Sequence, residues 1–586
     1  MRKLALLLIA LLTTELVQAK QPNVVVILTD DQGWGDLSLH GNKNISTPNL
    51  DALAKSGARF DRFYVCAVCS PTRAEFLTGR YHPRGGVFST SAGGERLDLD
   101  EVTIADTFKA AGYVTGAFGK WHNGMQYPYH PNGRGFDEYY GFTSGHWGHY
   151  FSPVLEHNGA LTRGKGFCVD DFTNRAIDFI EESVKQDKPF FAYLPYNTPH
   201  SPMQVPDRFW KKFDGVDLVM RNRDPQKENL QHSRAALAMC ENVDWNVGRL
   251  VKSLQKMGIA DNTIVVFFHD NGPNGSRWND GMRGRKGSTD EGGCRSPLFI
   301  SWPGKVRQNT FVTQIASVTD LLPTLSNMAG INLIGDKPLD GIDLSSWISN
   351  PQKAHNERII INAWKGKISA RNQQYRLDNV GRLYDITNDP HQEKDIVAQQ
   401  PEIAEMLGQA VADFKSGALQ DYKTSNEGRP FVICHKDYKW TQVPARDGIA
   451  DGNIIRSNKF PNCSYFLNWI STDDKITWPA EVQHSGRYRV YLHYTCKKEN
   501  VGCRVQLRFN GATISTKIGK AHNPPEIGAG EDRFKRVESY VKFFKEIELG
   551  DMQLDAGAGD LTLTVPEMPG NEGIEFRLLM FERIDQ

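Results

Sequence analysis

Residues 23–32 read NVVVILTDDQ, and residues 263–272 read TIVVFFHDNG. Each is a run of β-branched and aromatic residues, apolar almost throughout, that ends abruptly in carboxylates and amides. A strand with one solvated face alternates apolar and polar residues, whereas a central parallel strand, covered on both faces, does not. Both stretches therefore predict central strands of an α/β sheet. YVTGAF (113–118) and PFFAYLPY (189–196) repeat the pattern, and segments such as Ser233 to Met257 have helical periodicity. This alternation predicts a large, mostly parallel sheet flanked by helices.

Working outward, the predicted α/β domain covers residues 20–310. A helix at SVTDLLPTLSNMAG and the strand-and-turn run RLYDITNDP predict a smaller α/β subdomain over 311–420. Ser416 to Pro430 is polar and turn-rich and reads as a linker. Beyond it the period becomes two, in RYRVYLHYTC, RVQLRFNG, DLTLTV and IEFRLLMFERI, which predicts an all-β sandwich over 430–586. Cys496 and Cys503 flank a hairpin tip and are expected to pair, as are Cys434 and Cys463. There is no internal repeat and no low-complexity tract.

At 586 residues the chain exceeds what one core usually serves. Lys+Arg and Asp+Glu balance at 69 each, which removes any global electrostatic case for nucleic acid or an anionic membrane. The start, MRKLALLLIALLTTELVQA, has a basic head, a short apolar run and a small-residue cleavage site, so residues 1–19 read as a secretory signal and the mature protein as periplasmic or extracellular. No later stretch approaches the roughly 18 apolar residues of a membrane span. Nine cysteines permit disulfides after export, and the odd count leaves at least one unpaired or modified.

Ligands of an open α/β sheet bind beyond the carboxyl ends of its strands. Asp30, Asp31, Asp270 and Asn271 follow two of those ends, and oxygen donors without a thiol or imidazole requirement suit a hard divalent cation, Ca²⁺ or Mg²⁺. Taken singly, each acidic pair has a plainer explanation as a turn or helix cap. Two further strand ends lead to Lys120 and His122 and to His200, which adds a cation and imidazoles on the same edge. That layout suits an anionic ester held between metal and lysine.

Residues 64–80, YVCAVCSPTRAEFLTGR, carry one more element. Ser70 is a good N-cap and Pro71 suits the first helical position, so Cys69 is expected just before a helix whose N-terminus favours an anion. Arg73 lies one turn in. The spacing Cys66-x-x-Cys69 also fits a redox pair.

CSPTRAEFLTGR resembles the signature of the formylglycine-dependent sulfatases, members of the alkaline phosphatase-like superfamily. LTDDQGWGDL, GKWHNG, GFDEYYGF, NTPHSP, HDNG, GRKGSTDEGGCRSPLFISWPG, LLPTL and LYDITNDP follow in that family's order, so the resemblance covers about residues 23–400. It implies that Cys69 is oxidised to formylglycine, by a formylglycine-generating or anaerobic maturation enzyme, and that the aldehyde hydrate is the nucleophile. It implies Ca²⁺ on Asp30, Asp31, Asp270, Asn271 and the modified Cys69. Lys120 and Lys286 would grip the sulfate, Arg73 would steady the hydrate, His200 would protonate the leaving oxygen, and His122 would take a proton when sulfate is released. The family commonly has smaller residues at the positions of His269 and Glu75, and Cys66 is a third departure, since a Cys66–Cys69 disulfide would consume the nucleophile precursor.

Exported sulfatases of this layout resemble bacterial enzymes acting on polysaccharides or glycosaminoglycans, which suggests galactose or N-acetylgalactosamine sulfates. His146, Trp147, His149, His269 and Trp278 lie in loops after catalytic strands and are the candidate saccharide contacts. Trp440, Trp469 and Trp478 are candidates for a second glycan surface on the sandwich or for its core. A phosphate or phosphonate ester hydrolase of the same superfamily and a catalytically dead glycan-binding protein are the alternatives.

Overall fold

A computed structural model describes residues 20–354, 357–420 and 422–585; the predicted export signal, residues 1–19, lies outside the described residues. The central sheet is built from β1 (Asn23–Thr29), β2 (Ala58–Tyr64), β3 (Val114–Lys120), β4 (Glu138–Phe142), β5 (Val154–His157), β6 (Ala160–Arg163), β7 (Phe190–Pro195), β8 (Thr263–His269), β9 (Arg295–Ser301), β10 (Thr310–Val312) and β11 (Ala316–Ser317). Its order is β10-β2-β9-β8-β1-β7-β3-β4-β5-β6, with β11 beside β2. The run β8-β1-β7-β3-β4 is parallel throughout, while β9 and β5 run against their neighbours.

The continuous apolar strands are explained by cover on both faces. Val25 and Ile27 point to one core with helices α2 (Cys168–Lys185) and α3 (Leu230–Lys256). Val24, Val26 and Leu28 point to the other, with α1 (Cys69–Thr78) and α4 (Leu321–Ala329). Every described residue of β1 and β8 is buried. The parallel register sets Thr29 level with His269, so both strands end at one edge.

Residue 311 falls inside β10, which pairs with β2. A separate four-stranded antiparallel sheet follows, in the order β12 (Ile360–Trp364), β13 (Lys367–Arg371), β14 (Tyr375–Leu377), β15 (Leu383–Asp385), with α5 (Pro401–Ser416) packed on it. The stretch after α5 that reads as a linker is strapped down. Arg96 donates to the carbonyls of Arg429 and Pro430, each at 2.6 Å, and Arg429 donates to those of Gly86 and Arg96 at 3.0 Å. Polar turns are legible in a sequence; the two arginines that bind this one are not.

The C-terminal region is two six-stranded sheets. One centres on Lys475–Val482, Gly557–Glu567 and Arg504–Phe509, the other on Glu575–Arg583, Gly486–Thr495 and Lys545–Leu554. Their facing residues, including Val490, Leu492, Leu561 and Leu563, make one aliphatic and aromatic core. Trp469 and Trp478 belong to that core, which removes them as glycan contacts, and Trp440 is half-buried on a strand paired with Glu575–Arg583. All nine cysteines are free. The expected Cys496–Cys503 pair is in thiol contact without a bond, and Cys463 Sγ turns instead toward the carbonyl of Ser539 at 3.5 Å.

Candidate active site at the carboxyl edge of the sheet

The alternation of a strand decides which side chains meet. Residues 24, 26, 28 and then 30 share one face of β1, as 264, 266, 268 and then 270 do on β8, so Asp30 and Asp270 emerge on the side of α1. The Asp31 amide donates to Asp270 Oδ1 at 3.1 Å, and the Asp270 amide donates to the Thr29 carbonyl at 3.0 Å. Helix α1 starts at Cys69 with Val68 as its extended cap residue, so Ser70 and Pro71 lie inside the first turn and the expected cap is displaced. The start is held by side chain instead. Cys66 N donates to Thr72 Oγ1 at 2.9 Å, and Thr72 Oγ1 donates to the Asp270 carbonyl at 2.6 Å, tying the helix to the end of β8.

Arg73, Lys120, Asp30, Asp31 and Asp270 are all fully buried. Arg73 donates to the Lys120 carbonyl at 2.7 Å and to Asp270 Oδ2 at 2.9 Å. Lys120 Nζ lies 2.5 Å from Asp30 Oδ2, and Lys286 Nζ lies 2.6 Å from Asp31 Oδ1. Burial opposes ionisation of Asp30 and Asp31, but the lysines, His200 and, for Asp30, Arg73 outweigh it and hold both below the usual carboxylate range. Asp270 is pushed up, by burial first and then by the charge of Asp30. Burial and then Lys120 push His122 well below the usual imidazole range, and burial and then Lys286 lower His200.

The donor set fits a hard cation. Asp30 Oδ1 and Asn271 Oδ1 are buried without a hydrogen-bond partner among the described residues. Asn271 donates through Nδ2 to Asp31 Oδ1 at 2.9 Å, which turns its oxygen free. Ligand atoms of Asp30, Cys69 and Asp270 lie within 4.8 Å of one another, as do those of Asp30, Asp31 and His200. Orphaned buried oxygens of this kind are costly unless something binds them, and a divalent cation fits. Three carboxylates face three cations, so a divalent ion leaves positive charge for an anionic ligand to offset. Asp31 and His122 both sit at left-handed φ, 65° and 70°, a conformation uncommon outside glycine.

His122 donates through Nε2 to the Thr90 carbonyl at 2.8 Å, leaving Nδ1 buried and unpartnered. His146 stacks on His200 with ring centroids 5.8 Å apart. Trp147 stacks on Phe142 and donates to the Val154 carbonyl at 2.8 Å, so one face of its ring is taken by the protein. His149 is nine-tenths buried at the same edge. The expectation of a substrate contact at His269 is not met: alternation puts its ring opposite Asp270, fully buried and edge-on to Phe267. Trp278 is half-buried, with its carbonyl against Gly35.

Residues from the sandwich reach this edge, and no sequence signal pointed to them. Asn462 Nδ2 lies 3.4 Å from His146 Nδ1 and 3.3 Å from the Thr90 carbonyl that fixes His122. A Cβ at Gly145 would come within 2.4 Å of both Asn462 Nδ2 and His122 Nε2, so only glycine admits this approach. Beside His200, Ser201 Oγ donates to Glu538 at 2.7 Å.

A mostly parallel sheet with this edge places the molecule in the alkaline phosphatase-like superfamily. The family model described as Sulfatase matches residues 22–331, over half of the chain, and the chain belongs to the sulfatase family. N-acetylgalactosamine-6-sulfatase of Mus musculus is 32% identical over 357 residues, 55% of this chain and 65% of that protein, so the match spans just under two thirds of that relative. Arylsulfatase A of Homo sapiens is 31% identical over 442 residues, 67% of this chain and 83% of the relative. The structure titled Ps i-CgsB in complex with k-i-k-neocarrahexaose aligns with TM-score 0.63 at 31% identity, covering 70% of this chain and 96% of that one.

Proposed function

We propose that the protein hydrolyses sulfate monoesters of a carbohydrate, a polysaccharide or glycosaminoglycan fragment in which the sulfated unit is galactose or N-acetylgalactosamine. The observation that carries this reading is the convergence, at one buried edge, of an oxygen-lined cation cradle, Cys69 at a helix start, and Lys120 and Lys286. The names of two relatives support the sugar class: one is an N-acetylgalactosamine-6-sulfatase, the other is bound to a neocarrahexaose.

Asp30, Asp31, Asp270 and Asn271 would hold one Ca²⁺. The bound cation supplies a Lewis acid that polarises sulfate oxygens. Cys69 converted to formylglycine supplies, as its hydrate, a nucleophile with a second hydroxyl through which sulfate can leave. Lys120 and Lys286 grip the sulfate and stabilise charge that develops on it. Arg73 orients Asp270 against the start of α1. His200 Nδ1 faces the Ser201 carbonyl at 2.7 Å, which leaves Nε2 toward the site, 3.7 Å from Asp31 Oδ2; as the imidazolium, with a proton on Nε2 as well, it would deliver that proton to the leaving oxygen. His122 Nδ1, unpartnered while Nε2–H is held by Thr90, accepts a proton. Export of the mature chain, with a maturation enzyme as partner, completes the reading.

The test is sulfate release from a panel of sulfated mono- and oligosaccharides by protein co-expressed with a formylglycine-generating enzyme, beside a Cys69→Ala control. Release from a panel member, lost in the control, supports the reading and names the sugar. Silence across the panel, from protein whose Cys69 peptide mass confirms the aldehyde, sinks it.

A further inference from the structure

The sandwich and the α/β domain enclose a cavity of about 320 Å³ beside the candidate active site. Trp147, His149 and Arg163 line it from one side, Asn462, Phe543 and Arg577 from the other. The matched family region ends at residue 331, so half of this wall belongs to a part of the chain outside it. The volume lies in the range of small-molecule sites, at a domain boundary where such sites form.

Its charge is one-sided. Arg163, Arg446, Lys542 and Arg577 line the cavity, and among the described residues no aspartate or glutamate does. Arg446 pairs with Glu95 and Asp447, and Lys542 with Glu575. Arg163 and Arg577 have no carboxylate partner among the described residues. Arg577 donates to the Ser464 carbonyl at 2.7 Å and lies over the Trp147 ring at 5.6 Å; Arg163 lies over Phe543, which is 40% exposed, at 4.7 Å. Two guanidiniums without a carboxylate partner on the wall of one largely apolar chamber suit an anion, which a guanidinium fork binds through paired charge-assisted hydrogen bonds. Asn462 links the chamber to the catalytic edge, since the same side chain lines the cavity and faces His146.

We propose that this cavity is a subsite for an anionic sugar unit adjoining the one whose sulfate ester is cleaved, carrying a second sulfate or a uronate carboxylate. This rests on the carbohydrate sulfatase reading above. The sandwich is then part of the substrate site rather than an appended module. Arg577 and Arg163 take the anion, and Phe543 offers an apolar face for the ring.

The test compares matured wild type, Arg577→Gln and Arg163→Gln on four substrates: 4-nitrophenyl sulfate, a neutral monosulfated oligosaccharide, a disulfated one and a uronate-containing one. Each variant is expected to lose about tenfold in kcat/KM on the substrates with a second anion, the scale of one charge-assisted contact, and to keep wild-type values on the other two. Loss on the disulfated or the uronate substrate alone identifies the anion. Equal loss on all four, or loss on none, overturns the subsite. Arg163 is exposed, so its variant keeps the test open if Arg577→Gln disturbs packing. Should wild type cleave none of the four, the catalytic reading has failed. Calorimetric binding of the anionic oligosaccharides then tests the subsite alone: weaker binding to the variants supports it, and absent or unchanged binding overturns it.

Discussion

The carboxyl edge of the central sheet and the outer strand faces of the sandwich treat charge in opposite ways. At the carboxyl edge of the central sheet, Arg73, Lys120, Asp30, Asp31 and Asp270 are buried completely and bonded to one another. On the sandwich, Arg487, Arg489 and Asp551, and likewise Arg504 and Glu567, pair across the outer faces of strands within reach of solvent. Burying ions costs more than their attraction commonly returns, so a buried network signals a task other than stability. Solvated pairs on a strand face keep the protein soluble and contribute little else.

The largest effect is expected at Cys69. Cys69→Ala should lower sulfate release by a factor on the order of 10⁴ or more, as loss of a nucleophile does, while the thermal midpoint barely moves; a full-rate variant would remove the cysteine from the chemistry. Arg73→Ala leaves Asp270 buried without its partner, and should cost about 3–5 kcal/mol in urea unfolding along with most activity. Trp478→Ala, in the sandwich core, should cost a comparable ~3–5 kcal/mol through the cavity it leaves. Its signature differs, since the loss belongs to the unfolding transition of the sandwich, and a loss confined to the transition of the other domain would break the comparison.

Acid should act on the α/β side. Burial pushes His40 down to about 3 and His82 down to about 4, so both rings stay neutral in the fold while the unfolded chain protonates near 6.5. The stability they contribute is full above pH 6.5 and is lost progressively toward pH 4 and below. Urea midpoints measured across that window should fall for wild type and fall less for His82→Gln; parallel curves would contradict the assignment. The smallest effect is expected at Arg489→Ala, on the solvated face, with no measurable change in midpoint or sulfate release.

What was legible in the sequence follows the same division. The convergence of charged residues at the carboxyl edge could be read because each strong apolar run delivers its polar residues directly after it, as NVVVIL delivers Asp30 and Asp31. His269 was misplaced although the signal was present: it is one residue from Asp270, and a strand sends neighbours to opposite faces. The displaced start of α1 was not legible, because Thr72 bonded to the Asp270 carbonyl, rather than a side-chain cap, fixes it. The sandwich could be read as a fold from its period of two, and Trp469 and Trp478 went to its core. Its contribution to the site could not be read. Asn462 and Glu538 reach this edge, and Arg577 the cavity beside it, only through the packing of one domain on the other, which leaves no periodic trace.

The most direct measurement is the rate of sulfate against phosphate release from paired aryl esters, by protein carrying formylglycine at position 69 and by the same protein left unmodified. The account predicts that the modified protein cleaves the sulfate ester far faster than the phosphate, and that the unmodified protein cleaves neither. Faster phosphate cleavage, or equal sulfate cleavage without the modification, would contradict it.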